Sequence, residues 1–416
     1  MINVLIFIAG LLFYLSSGLW GFAYLAFATV FSYFLGRGIA KRRWLLWIGV
    51  PVLGGVLLLM KLQGLLGITL PSVLGISYFS LQMIAYLADI YRKKASPEPN
   101  FFKYALFMTY LPHLYVGPIE KYDALIFQKR RITAEGVWEG LVRALWGGFK
   151  KLVIASRAGV IIGAISADVG AYKGAYALAA MLLYSLQLYS DFSGGIDLVL
   201  GVSRILGVKL SENFDTPFKS ESFQEFWRRW HITLGAWLKE NIYIPLGGNR
   251  KGRARKVINL LATFFISGIW HGVEYLLWGI INGVFVAFGT KLKTKWKTLN
   301  RLCTFLLVSL LWCFFIWPDT LTAGRQLLSV FYILNYGEFL KNVGSLGLSL
   351  GDFIVLALAS VTLFTSESFA SALKARFNAS ALWKKTAIIC ALAIVILVFG
   401  TYGIGFNAEA FIYSKF

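Results

Sequence analysis

Charge is scarce in this 416-residue chain. Only 15% of its residues are Asp, Glu, Lys or Arg, against about a quarter in soluble globular proteins. Acid is scarcer than base: 20 Asp plus Glu face 41 Lys plus Arg, which leaves a net charge of +21. Three histidines and three cysteines complete the short inventory of reactive side chains. Cys303, Cys313 and Cys390 all lie in apolar runs, so no spacing supports a disulfide framework or a metal site. A Gly-rich phosphate loop, a zinc-binding HExxH pattern and a GxSxG nucleophile elbow are absent from the sequence. No nucleic-acid-binding motif accompanies the basic excess, so nucleic acid is not an expected partner. No matching pair of interruptions divides the chain into two similar halves, as an inverted-repeat transporter would show.

What is abundant is apolar surface: 58% of the residues are hydrophobic and 16% aromatic. A soluble domain of this size could not bury it. Apolar stretches recur near residues 2–15, 19–36, 44–60, 72–90, 101–117, 137–165, 174–206, 257–274, 276–290, 303–317, 352–365 and 386–404. Many approach the roughly 20 residues that cross a bilayer, and none shows the short alternation of an outer-membrane barrel. The expected fold is all-α: a single multi-pass membrane domain over residues 1–416 with roughly ten to twelve membrane helices. Residues 1–36 lack a small-residue cleavage site and read as retained membrane segments rather than a signal peptide. Basic clusters separate the stretches: Arg37 to Arg43, Arg92 to Lys94, Lys129 to Arg131, Arg250 to Lys256, Lys291 to Arg301 and Lys374 to Lys385. Such clusters place their loops in the cytoplasm and meet anionic headgroups, so membrane lipids are expected partners.

Polarity concentrates once, between about residues 186 and 290. In the run from Ser222 to Arg250, Ser222 and Glu225 are spaced as a capping box. Phe223, Trp227, Trp230, Leu234 and Trp237 then recur at helical spacing, with Glu225, Arg228, Arg229, Lys239 and Glu240 on other faces. The pattern predicts an amphipathic helix at the interface or re-entering the protein, carrying His231. His271 sits in Ile266-Ser267-Gly268-Ile269-Trp270-His271-Gly272, inside an apolar span. An ionisable group there is costly and marks a functional site, and Gly268 and Gly272 have the small-xxx-small spacing of close helix contact. His113, in a proline-broken helix end (Leu111 to Pro118), reads as a structural or substrate-lining residue. Asp191 and Asp197 lie in an apolar stretch, where they either form ion pairs that pin helices, with Arg204, Arg228 or Arg229 as partners, or orient a histidine. The simplest chemistry for a membrane-embedded histidine among polar and aromatic residues is removal of a proton from a substrate hydroxyl.

Residues 227–250, 189–218 and the GIWHG run 268–272 together resemble the membrane-bound O-acyltransferase superfamily, and within it the branch of bacterial alginate-type polysaccharide O-acetyltransferases. The runs 111–122 and 75–92 and the terminal 411–416 fit the same branch. The resemblance implies a ring of helices around a tunnel joining the two membrane faces. Its catalytic core would cover 72–290, with 1–71 and 291–416 as peripheral helices. It implies His271 as the catalytic base and His231 as a second active residue. Asp191, Ser193, Asn213, Trp230, Trp270, Arg228 and His113 are then the candidates for binding substrate or orienting the histidines. Arg250, Lys251, Arg253, Arg255 and Lys256 are the candidates for steering an anionic donor. The expected donor is cytoplasmic acetyl-CoA, with no cofactor held. The expected acceptor is an extracytoplasmic polysaccharide, reached with the help of an extracytoplasmic acetyltransferase- or esterase-like partner protein. The expected location is the bacterial cytoplasmic membrane. Two other readings stay open: D-alanyl transfer to teichoic acid from a thioester carrier protein, and a polysaccharide or lipid transporter.

Overall fold

A computed structural model describes residues 2–114, 116–289 and 294–402, with the side chains of Ile2, His113 and Leu114 outside that description. The fold is helical throughout. Among the described residues the only strand-like pairing is one antiparallel bridge between Phe214 and Trp230. Among the described residues five helices are long and apolar enough to cross a membrane: Leu19–Lys41, Arg43–Leu66, Lys297–Ile316, Leu350–Ser368 and Leu382–Phe399. Asn3–Ser16 and Val273–Phe288 are apolar but shorter. The first two apolar stretches form separate helices, broken at Gly18, whose φ of 137° no side chain would favour.

The centre is built on two long, more polar helices. Ala134–Phe149 continues through a π-helical turn, Lys150–Ala155, into Ser156–Ala167. This rod packs along the 31-residue helix Ala175–Ile205. A Cβ on Gly147 would stand 2.5 Å from the Gly194 carbonyl oxygen, so the two backbones touch directly where they cross. The pair is locked by charge. Lys150 Nζ lies 2.6 Å from Asp197 and Lys151 Nζ 2.5 Å from Asp191, and Arg143 donates to Asp197 at 3.0 Å. Of the three arginines expected for this task, Arg204 pairs with Glu139 at 3.0 Å, Arg229 pairs with Glu225 at 2.8 Å and Arg228 is exposed. The aspartates instead meet the two lysines that lie beside them on the neighbouring rod. A lysine inside an apolar helix needs a counter-charge as much as an aspartate does.

Residues of several basic clusters bond to other segments, including the polar centre. Arg43 donates to the Tyr91 carbonyl at 3.1 Å. Lys94 and Lys121 reach Glu240 at 3.8 and 2.6 Å, and Arg301 reaches Glu221 at 3.5 Å.

Candidate active site

The expected amphipathic helix is broken in two. Phe223–Arg229 and Ile232–Leu238 are separate helices, followed by a π-helical turn at Lys239–Tyr243. Ser222 caps the first, accepting from the Glu225 N–H at 3.2 Å, and the Glu225 carboxylate reaches back to the Glu221 N–H at 2.9 Å. The break falls at Trp230–His231. Trp230 is drawn into the bridge with Phe214, and His231 takes a left-handed conformation with φ 47° and ψ 53°. A residue with a Cβ adopts that conformation only when its surroundings impose it. Here Asn213 does so: its main-chain oxygen accepts from the Ile232 N–H at 2.9 Å, and its side-chain Oδ1 accepts from the Thr233 N–H at 3.1 Å.

His271 ends the helix Gly252–His271. Gly272 follows with φ 148°, and the chain turns at once into Val273–Tyr275 and the helix Leu276–Phe288. The two helices of this hairpin close on Gly268 and Gly279. A Cβ on Gly279 would lie 2.5 Å from the Phe264 carbonyl oxygen. Of the small-xxx-small pair, Gly268 makes the close helix contact and Gly272 makes the turn.

These two arms bring the histidines to one cavity of about 310 Å³. His231, His271, Trp230, Trp278, Trp312 and Phe315 line its buried end. Trp278, Phe315 and Trp270 present edges or faces to the His271 ring at centroid distances of 5.4, 5.6 and 4.6 Å. His231 rests against Phe192 at 4.9 Å and Trp270 at 6.1 Å. Thr263, Ser267 and His271 face the cavity at four-residue spacing along one helix. At its other end the wall is exposed and basic, formed by Arg228, Lys239, Asn249 and Lys256. Among the described residues no acidic one lines it. The cavity therefore runs from a cationic mouth to a buried aromatic end that holds both histidines.

Of the residues singled out in the sequence, His231, His271, Trp230, Arg228 and Lys256 line this cavity. Trp270 lies just behind it, between the two histidines, and Asn213 bonds His231 at 3.3 Å. Asp191 pairs with Lys151, and Ser193 accepts from Lys150 at 2.8 Å while donating to the Tyr189 carbonyl. Both bond within the central helix pair, and Phe192 between them touches His231. Arg250, Lys251, Arg253 and Arg255 are exposed near the mouth without lining it. The His113 side chain and residues 411–416 lie outside the described residues. Sequence reasoning passed over Lys239, Trp278, Trp312 and Phe315 as lining residues. The first sits among other charges, and the aromatics are indistinguishable by pattern from ordinary span residues. The Thr263, Ser267, His271 spacing was a usable signal.

The model of the membrane-bound O-acyltransferase family matches residues 74–318, which include both histidines and the whole cavity. The chain belongs to this family. As a membrane-bound O-acyltransferase it is a membrane enzyme that transfers acyl groups. Its sequence is 34% identical over 391 residues to a probable alginate O-acetylase of Pseudomonas fluorescens, covering 88% of this chain and 78% of that protein. It is 35% identical over 286 residues to a peptidoglycan O-acetyltransferase of Helicobacter pylori, covering 58% and 53%. Against a teichoic acid D-alanyltransferase of Streptococcus thermophilus it is 26% identical over 292 residues, covering 65% and 70%.

Proposed function

We propose that this O-acyltransferase moves an acetyl group from cytoplasmic acetyl-CoA to hydroxyl groups of an extracytoplasmic polysaccharide, across the bacterial cytoplasmic membrane. The observation that carries the reading is the shape of the cavity: a cationic mouth leading to two buried histidines. A polyanionic donor cannot enter lipid, so its phosphates must be met by cations outside the apolar part of the protein. Arg228, Lys239 and Lys256 supply these, and Arg250, Lys251, Arg253 and Arg255 add to the field that draws the donor in. The thioester then lies in the aromatic, water-poor end beside His271.

There His271 acts as general base. It takes the proton of the acceptor hydroxyl as that oxygen attacks the thioester carbonyl carbon. Collapse of the tetrahedral adduct breaks the C–S bond, and the thiolate of CoA takes up the proton, leaving an ester on the sugar. Trp270, Trp278 and Phe315 hold the imidazole in place and exclude water, which would otherwise hydrolyse the thioester. His231 binds or orients one substrate opposite His271. An extracytoplasmic partner protein would carry or present the acceptor chain.

The alginate O-acetylase covers more of this chain than the D-alanyltransferase does, 88% against 65%, and both acetylating relatives are more identical to it, at 34% and 35% against 26%, which favours acetyl over D-alanyl transfer. A transporter would not need two histidines enclosed with tryptophans at the buried end of its cavity. The test is transfer from isotope-labelled acetyl-CoA in membrane vesicles containing the native envelope glycan and any partner. Ester-linked label that disappears with His271→Ala supports the reading. Unimpaired transfer by a well-folded His271→Ala protein would sink it.

A further inference from the structure

We infer that Asn213 is a positioning residue: it holds the His231 ring with its proton on Nδ1, so that Nε2 is the nitrogen carrying the lone pair. The inference rests on the reading of this cavity as the acyl-transfer site, but the geometry behind it is independent of that reading. A backbone N–H can only donate. The Thr233 N–H donates to Asn213 Oδ1 at 3.1 Å, so that atom is the amide oxygen and an acceptor. The Thr233 hydroxyl lies 2.9 Å from the same oxygen and 3.0 Å from the Ile119 N–H. Since the Ile119 N–H donates to Thr233 Oγ1, the hydroxyl proton points to Asn213. His231 Nδ1 lies 3.3 Å from the same Oδ1. An amide oxygen cannot donate, so Nδ1 must, and this selects one of the two neutral tautomers.

The arrangement serves the histidine rather than the asparagine. Asn213 is fully buried, yet its Nδ2 has no hydrogen-bond partner among the described residues. Half of a buried amide is left unsatisfied, which is costly, while its oxygen takes three donors. Two of these donors and the Ile232 N–H on the Asn213 carbonyl fix the left-handed turn that aims the ring. The titratable and charged groups around His231 are His271 across the cavity, Lys239 and Lys256 on its wall and Arg228 on the preceding helix. On the helix behind Phe192, Asp191 is held by Lys151. Among the described residues no carboxylate lines the cavity, and the neutral amide of Asn213 stands 3.3 Å from Nδ1.

The full-length protein in lipid, labelled with 15N-histidine, tests this directly. The chain has three histidines, and a His231→Gln sample identifies the His231 signals by subtraction. The expected spectrum shows protonated Nδ1 and unprotonated Nε2 for His231. A spectrum with the proton on Nε2 overturns the inference. Two variants extend the test. Asn213→Asp keeps shape and acceptors but adds charge beside Nδ1, so the pH midpoint of His231 protonation should rise by about one unit. Asn213→Leu removes the acceptor and should lower kcat roughly 10- to 100-fold, the rate equivalent of orphaning one buried hydrogen bond, with KM for donor within about twofold. A residue that only packs would cost folded yield in both variants and leave the midpoint and kcat per folded molecule unmoved. Wild-type protein that transfers no acyl group would overturn the functional reading alone, because the tautomer is read without turnover.

Discussion

His231 and His271 come from different segments, 40 positions apart in sequence, and line the same buried cavity end with Trp270 packed against both rings. Neither ring reaches that position by a simple helix. One sits on a strained turn between two short helices, and the other is the last residue before a glycine turn.

If His271 removes the hydroxyl proton, His271→Ala should lower the transfer rate by about 10²–10⁴-fold while thermal stability changes little. His231→Ala should lower it strongly yet leave measurable activity. Rates per folded molecule, with folding followed by thermal melting in detergent, separate these effects from simple loss of protein.

The cavity mouth divides the basic residues into two groups. Neutralising Arg228, Lys239 and Lys256 should raise KM for acetyl-CoA several-fold and flatten its dependence on salt, with kcat nearly unchanged, because screening weakens long-range attraction. Neutralising Arg250, Lys251, Arg253 and Arg255, which stand back from the wall, should change KM much less. Initial rates at low and high ionic strength distinguish the two sets. Equal effects from both would mean that the lining residues have no special part in holding the donor.

The central helix pair should depend on its buried charges. Lys150 is buried and bonds both Asp197 and Ser193. Lys150→Met removes one of the cations on a buried aspartate, and breaking such a pair costs about 3–5 kcal/mol. A large fall in melting temperature is expected, with transfer by the surviving folded fraction retained. A melting temperature within a degree or two of wild type would mean that Arg143 alone suffices for Asp197.

Gly279→Ala probes the hairpin that carries His271. The added methyl would meet the Phe264 carbonyl oxygen, a backbone atom that cannot swing aside. The hairpin must open, and His271 moves with it. Activity should fall by more than tenfold even in protein that still elutes as a folded species. Full activity would show that the crossing at Gly268 and Gly279 does not set the position of the histidine.

Much of this was legible in the chain itself. The apolar excess, the basic loops and the isolated His271 each have a direct physical cost in a membrane, and each cost points to structure or function. The pairing of Asp191 and Asp197 was not legible, because Lys150 and Lys151 lie 40 or more positions away and helical register decides which cation reaches which acid. The break at His231 was hidden for a similar reason. Residues 223–237 have helical periodicity, and the groups that interrupt it, Asn213 and Phe214, belong to the stretch that precedes it and folds back on it. Tertiary hydrogen bonds override local pattern there.

The central claim is tested most directly by mass spectrometry of ester groups on the envelope polysaccharides of the source bacterium. Three strains are compared: one lacking the gene, one complemented with the wild-type gene, and one complemented with His271→Ala. Loss of O-acetyl groups on deletion, restored by wild type and not by the variant, is the predicted result. Loss of D-alanyl esters would move the protein to the other acyl chemistry of its family, and ester content unchanged in all three strains would contradict the account.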